Sequence, residues 1–322
     1  MKTKNQLKGK RIQRGGGGKF ELYVAKACKG KNPNTTGSPI CKEYCGEDAY
    51  FITNMDNYAS FGVADGVGGW SAHGIDASAF SCGLMSAAWE ASQYSSDSQD
   101  ILTTAYKRLV SSGIVQAGSS TACIATFNKY NANINVSNLG DSGLVIIRAD
   151  QDGDGTIIFE TEDQQSAFNA PFQLAIIPPH LKNTLGNDPK DALVSNFPLL
   201  IGDIIIMASD GLWDNAFQDD IEQLVNTVMN IMVGSTPNAL HLATRPNSEG
   251  VGSTMNTTLV NSIIQQIADS LLFMAKQNSE SRNIKSPFSE TARLFGKHHS
   301  GGKIDDITII VGAVTSSEMK KF

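Results

Sequence analysis

Ile204-Ile205-Ile206-Met207-Ala208-Ser209-Asp210-Gly211-Leu212-Trp213-Asp214 decides how this chain folds. Its apolar run is far short of the roughly 20 residues of a membrane helix, and it suits a strand over Ile204–Ser209. The first acid falls where that strand stops. The arrangement recurs at Phe61-Gly62-Val63-Ala64, which leads into Asp65-Gly66-Val67-Gly68-Gly69-Trp70. Two acid pairs stand before strands instead: Asp305-Asp306 before Ile307-Thr308-Ile309-Ile310-Val311, and Glu47-Asp48 before Ala49-Tyr50-Phe51-Ile52. Strand ends share an edge of a sheet, so the four acidic groups are expected to converge there.

Outward from these stretches, alternating or apolar runs suit strands at Phe20–Ala27, Ala49–Thr53, Ser60–Ala64, Thr121–Phe127, Ile134–Leu139, Leu144–Arg148, Thr156–Glu160 and Ile307–Val314. Helical periodicity marks Ala77–Ser92, with Asp76 as N-cap, then Ile101–Ser111, Asp219–Met232 and Leu259–Lys276. Consecutive strands with no helix between them call for antiparallel pairing, hence an α+β fold with helices covering sheet faces. Residues 20–316 are expected to form one domain, between a basic flexible tail at 1–19 and a short tail at 317–322. The first tail holds seven Lys/Arg, no acid and the run Gly15-Gly16-Gly17-Gly18. It lacks the apolar core of a secretory signal. It also reads as a truncated organelle presequence or a nuclear signal.

The 322 residues carry 26 Lys+Arg against 32 Asp+Glu, a net charge of −6. That balance, with no aromatic-studded basic stripe, speaks against a nucleic-acid binder. Hydrophobic residues make up 41 % of the chain, ample for a buried core. The five cysteines contain no Cys-x-x-Cys pair. They are expected to be reduced thiols in an intracellular compartment rather than a zinc site at Cys28, Cys41 and Cys45. Asp150-Gln151-Asp152-Gly153-Asp154-Gly155 copies the opening of a calcium loop, but Thr161 stands where that loop needs Glu, so a polar hairpin turn is expected.

Converging carboxylates repel one another unless protonated or neutralised by cations. All-oxygen donors without His or Cys favour Mg²⁺ or Mn²⁺ over zinc. Asp-Gly also turns hairpins, and for a single such pair that is the better reading. Two pairs at strand ends, with two further acid pairs before strands, favour a site.

At this point six blocks in order resemble the metal-dependent protein phosphatases of the 2C type. They are Gly46-Glu47-Asp48-Ala49, Asp65-Gly66-Val67-Gly68-Gly69-Trp70, Gly118-Ser119-Ser120-Thr121-Ala122, Asn138-Leu139-Gly140-Asp141-Ser142, Ser209-Asp210-Gly211-Leu212-Trp213-Asp214 and Gly302-Lys303-Ile304-Asp305-Asp306-Ile307-Thr308. Phe168-Asn169-Ala170-Pro171-Phe172-Gln173-Leu174 is similar to a segment of a branch whose members are often mitochondrial. The resemblance implies a four-layer α-β-β-α sandwich of two antiparallel sheets and a serine/threonine protein phosphatase. It also implies two Mn²⁺ or Mg²⁺ ions with room for a third, phosphorylated protein substrates, no membrane span and a monomer. It implies a mitochondrial address, with cytoplasm or nucleus as the alternatives. By resemblance Asp65 bridges both ions and the Gly66 carbonyl meets the second. Asp210 and Asp305 meet the first ion, Glu47 and Asp48 the second, and Asp141 and Asp214 a looser third. Water held between ions about 3.5–4 Å apart would attack phosphorus in line.

Two positions depart from the family pattern. Val67 stands where many members have a His that protonates the leaving oxygen, and Glu43 where many have an Arg that grips phosphate. His73 is therefore a candidate proton donor, with water on an ion as the alternative. Lys303 is a candidate phosphate-binding cation. A pseudophosphatase binding module and a phosphohydrolase of small metabolites remain open beside the protein phosphatase.

Overall fold

The computed structural model describes residues 20–32, 40–41, 43–150, 153–181, 186–233 and 257–316. Both expected tails lie outside these residues, as do Asp150-loop residues 151–152. The described elements begin with strands β1 (Phe20–Lys29), β2 (Asp48–Asn54) and β3 (Tyr58–Asp65), then a short 3-10 helix over Gly68–His73. Helices α1 (Ala77–Ala91) and α2 (Ser98–Ser112) follow, then β4 (Gly118–Ser120), β5 (Ala122–Asn128), β6 (Asn133–Leu139), β7 (Gly143–Ala149) and β8 (Gly155–Glu160). The short strands β9 (Gln165–Ala167), β10 (Ala170–Pro171) and β11 (Leu174–Ile176) lead to β12 (Leu193–Pro198) and β13 (Ile204–Ala208). The chain ends in α3 (Asp210–Trp213), α4 (Gln218–Val233), α5 (Thr257–Glu280), α6 (Pro287–Leu294) and β14 (Ile307–Ser316).

Two antiparallel five-stranded sheets run β1-β14-β13-β7-β8 and β12-β6-β5-β3-β2. Helices α1 and α2 pack on the second sheet, α4 and α5 on the first. Three apolar layers hold the stack together, and strand alternation explains them. On β13, Ile204, Ile206 and Ala208 face α4 and α5. Ile205 and Met207 point the other way into the space between the sheets, where Phe61, Val63, Cys123, Ala125 and Phe127 come to meet them. Ile124 and Ala122 on the outer face of the second sheet pack under Phe80, Leu84, Ile101 and Leu102 of α1 and α2. Every strand in the middle of a sheet is therefore buried on both faces, which is why these segments read as continuous apolar runs. The α-β-β-α sandwich implied by the sequence is the architecture of the chain.

Asp76 caps α1 as expected, its carboxylate accepting from the Ser78 amide at 3.0 Å. Between β7 and β8 the Asp150 carboxylate accepts from the amides of Gly153 and Asp154, and residues 151–152 lie outside the described residues. Among the described residues none of the helices is long and apolar enough to cross a membrane.

The cysteines correct the sequence reading. Cys28 is bonded to Cys45, and Cys41 to Cys82, with Cα–Cα separations of 5.4 and 5.2 Å. Cys123 alone keeps a thiol, buried, with burial pushing its pKa up. Spacing along the chain gave no pairing because the partners lie on different elements: the end of β1 against the start of β2, and the segment before β2 against α1. With four of the five cysteines paired, the thiols carry no sign of a reducing compartment.

Candidate metal centre

The sandwich gathers the acids at one end. Asp48 and Asp65 stand directly opposite each other on the β2–β3 ladder of one sheet. Asp210 opens α3 just after β13, and Asp305 precedes β14, so these two come from the other sheet. Contacts fix each in place. Ser209 donates its hydroxyl to Asp48 at 2.7 Å and accepts from the Thr308 amide at 3.0 Å, tying the two sheets together. The Asp65 amide donates to Thr121, and the Gly66 amide donates to the Glu47 carbonyl at 3.1 Å.

Burial and mutual repulsion mark the cluster. Asp48 and Asp65 are pushed well above the usual carboxylate range, first by burial and then by neighbouring carboxylates, Asp306 for Asp48 and Asp210 for Asp65. Asp141 is raised in the same way, by burial and Asp210. Asp214 reaches about 7 and Asp163 about 6, each raised chiefly by burial. Asp305 is the exception: burial would raise it, yet Lys303 and Lys31 hold it below its ordinary value. Three buried oxygens, Asp48 Oδ1, Asp141 Oδ1 and Asp210 Oδ1, have no hydrogen-bond partner. Such orphaned acceptors call for a cation.

Lysines stand among the acids. The Lys303 ammonium is bonded to Asp210 and lies 2.8 Å from Asp214 and 3.1 Å from Asp305. Lys31 lies 2.7 Å from Glu47, 3.0 Å from Asp305 and 3.1 Å from Asp306. Among the described residues no three His, Cys, Asp or Glu side chains already form a ready-made ion cage. The donor set still fits hard divalent cations, being all oxygen with unpartnered buried acceptors.

Of the residues singled out from sequence, Asp65, Asp210, Asp305, Asp48, Asp141 and Asp214 are linked by mutual repulsion or by shared lysines. Glu47 joins them through Lys31, and Gly66 through its amide. His73 does not join them. It is exposed at the end of the 3-10 helix, its ring 6.4 Å edge-on from Trp70, and among the described residues it makes no hydrogen bond to the acids. Glu43 turns away as well, bonded to Lys26 and the Tyr50 hydroxyl.

Sequence reasoning missed Lys31, Asp306, Asn215 and Asp163. Asp306 is 2 % exposed and accepts from the amides of Lys31 at 2.7 Å and Glu47 at 3.0 Å. It thus pins the segment between β1 and β2 to the start of β14. A Cβ on Gly46, whose φ is +78°, would stand 1.9 Å from the Asp306 carboxylate, so only glycine fits there. Asn215 accepts from the Lys303 amide at 2.9 Å and donates to its carbonyl at 2.9 Å, which aims Lys303 at the acids. Asp306 was visible in the sequence as the second acid of the Asp305-Asp306 pair, though without a role of its own; Lys31 offered no signal.

Residues 56–241 match the family described as Stage II sporulation protein E (SpoIIE). The human "Protein phosphatase PTC7 homolog" is 34 % identical over 306 residues, spanning 93 % of this chain and 89 % of the relative. The chain belongs to the 2C-type metal-dependent protein phosphatases. The Saccharomyces cerevisiae "Protein phosphatase 2C homolog 7, mitochondrial" is 35 % identical and covers 83 % of this chain and 73 % of its own length. Among solved structures, the photosystem II phosphatase PBCP superposes with a TM-score of 0.65 at 26 % identity, over 91 % of this chain and 98 % of that one. The 2C family carries the serine/threonine phosphatase activity that the sequence blocks implied.

Proposed function

We propose that this acidic centre binds two Mn²⁺ or Mg²⁺ ions and hydrolyses phosphoserine and phosphothreonine in proteins. The observation that carries the reading is the meeting of acids from both sheets, with Asp48, Asp141 and Asp210 each leaving a buried oxygen unpartnered. Asp65 is assigned to both ions, with the Gly66 carbonyl, Glu47 and Asp48 toward one. Asp210 and Asp305 would serve the other, and Asp141 and Asp214 would hold a looser third ion beside those two. The ions, when bound, supply an activated water and neutralise the phosphoryl oxygens. The chain's own task is to hold the carboxylates in register. The β2–β3 ladder does this for Asp48 and Asp65, and Asp306 does it for the backbone of Glu47. Lys303, held protonated because Asp210, Asp214 and Asp305 outweigh its burial, lies ready for a substrate oxygen. The mitochondrial name of the yeast relative supports a mitochondrial location for this chain.

A phosphopeptide panel and a phosphometabolite panel, each with and without Mn²⁺, test the function. Turnover of phosphopeptides that needs Mn²⁺ and stops with chelator is expected. Full turnover in excess chelator overturns the ion assignment, and turnover of metabolites alone overturns the substrate class. Binding of phosphopeptides without turnover is the result a pseudophosphatase would give. His73 as proton donor is tested by His73→Ala. A serine alkoxide leaves poorly, so loss of its donor slows phosphoserine peptides by about 10²-fold or more while an aryl phosphate is spared. Equal slowing of both returns His73 to a loop role and leaves water on an ion as donor.

A further inference from the structure

Glu43, at the position where the family pattern has a phosphate-gripping arginine, is engaged elsewhere by Lys26 and Tyr50. A different cation from the same connection between β1 and β2 reaches the acids. Lys31 places its ammonium 2.7 Å from Glu47, 3.0 Å from Asp305 and 3.1 Å from Asp306. We propose that Lys31 grips the phosphoryl group of the substrate beside Lys303, in the role of the arginine lacking at position 43. The inference rests on the phosphatase reading of the same centre.

An ammonium has three N–H donors and no acceptor, and here the three acids surround it. Glu47 and Asp305 are the acids assigned to the ions; Asp306 is not, because its two oxygens are spent on the amides of Lys31 and Glu47. Once ions occupy Glu47 and Asp305, Lys31 keeps Asp306 and has two donors without a full partner. These donors lie at the edge of the ion site, on a side chain still 35 % exposed. A phosphoryl group held at the ions would need its charged oxygens met by donors at that edge, and ammonium–phosphate bonds are of the strong, charge-assisted kind. Lys303 is placed differently: its side chain is 16 % exposed, and it meets Asp210, Asp214 and the other carboxylate oxygen of Asp305. The anchoring of Lys31 runs through its backbone amide, so replacing its side chain leaves the Asp306 bond in place.

The test compares wild type with Lys31→Met, Lys31→Gln and Lys31→Arg, with inorganic phosphate as the probe. Calorimetry on the Mn²⁺-loaded proteins reads phosphate affinity, and a separate titration of the ion-free proteins reads Mn²⁺ affinity. Expected is phosphate binding about tenfold or more weaker in the Met and Gln variants and within about threefold of wild type in the Arg variant. Mn²⁺ binding should be unchanged or tighter, because an ammonium competing for Glu47 and Asp305 is gone. KM for an aryl phosphate should rise with phosphate dissociation. Phosphate affinity within about twofold of wild type in both neutral variants overturns the proposal. So does loss of Mn²⁺ binding together with phosphate, which would make Lys31 a scaffold of the ion site. A wild type that turns over phosphopeptides while the variants bind phosphate normally retires Lys31 alone. A wild type that takes no Mn²⁺ retires the phosphatase reading, and the proposal with it.

Discussion

Asp65 and Asp305 carry the same carboxyl group in opposite electrostatic settings. Asp65 is raised by burial and by Asp210 and Asp48, whereas Asp305 is held down by Lys303 and Lys31 against its burial. Replacing either by Asn is expected to lower kcat by about 10²-fold or more, since each removes a proposed ion ligand. Their effects on the ion-free fold should differ. Asp65→Asn relieves repulsion and leaves the melting temperature equal or higher, while Asp305→Asn strips a shared partner from two lysines and lowers it. Near-normal kcat in either variant would remove that residue from the ligand set. The raised acids also set a pH trend. Asp163 at about 6 and Asp214 at about 7 lie above the ordinary carboxylate value near 4. A folded-state pKa above the unfolded one stabilises below the unfolded value, and the contribution is lost as pH rises through the folded value. Ion-free protein should therefore lose stability between about pH 4 and 7, and Asp163→Asn should flatten the lower part of that slope. A melting profile that rises over this window in both proteins would contradict the assignment.

Among the elements, the connection between β1 and β2 deserves the closest comparison with its sequence. Strands β1, β2, β3, β5 to β8, β13 and β14 were legible because alternation or unbroken apolar runs mark them. Their ends were legible because acids interrupt the runs. Helix α6 was not, being two turns long with one buried residue, Ala292. Strands β4 and β9 to β11 were missed because two or three residues are too few for a period to develop, and β12 because it is an edge strand with many exposed side chains. Glu47, Asp48, Asp65, Asp210 and Asp305 could be read because their neighbours announce strand ends. The bond from Lys31 to Asp306 spans 275 residues of sequence, and nothing local records it. The same holds for the two disulfides. They close loops with separations of 17 and 41 residues, each worth about 3–4 kcal/mol on chain-entropy grounds. Cys45 lies two residues before Glu47, so reduction acts where the ion ligands begin. Thermal unfolding in the presence of a thiol reductant should give a clearly lower midpoint than without it. Cys28→Ser should reproduce part of that loss, and an unchanged midpoint in both cases would mean the bridges add nothing to the fold.

For the molecule as a whole, the centre depends on both sheets at once. Asp48 and Asp65 belong to one sheet, Asp210 and Asp305 flank strands of the other, and Ser209 links them. An unfolded chain offers no such convergence, so an ion that binds the folded form alone must raise its stability by mass action. At Mn²⁺ a hundred times its dissociation constant the gain is about 2.7 kcal/mol. Titration of Mn²⁺ into ion-free protein should raise the melting temperature in a concentration-dependent way, and Asp65→Asn should blunt the rise. A flat response in wild type would mean that the carboxylates do not act as one site.

Lys31 and Lys303 give the stripped centre an internal counter-charge, each ammonium held among three acids. The order of maturation follows from this. A nascent chain need not wait for manganese before its sheets close, because the charges that would push Glu47, Asp210 and Asp305 apart are already met from within. On the proposed reading the fold can close before the ions arrive, and ions could leave and return while the lysines keep these acids apart from one another.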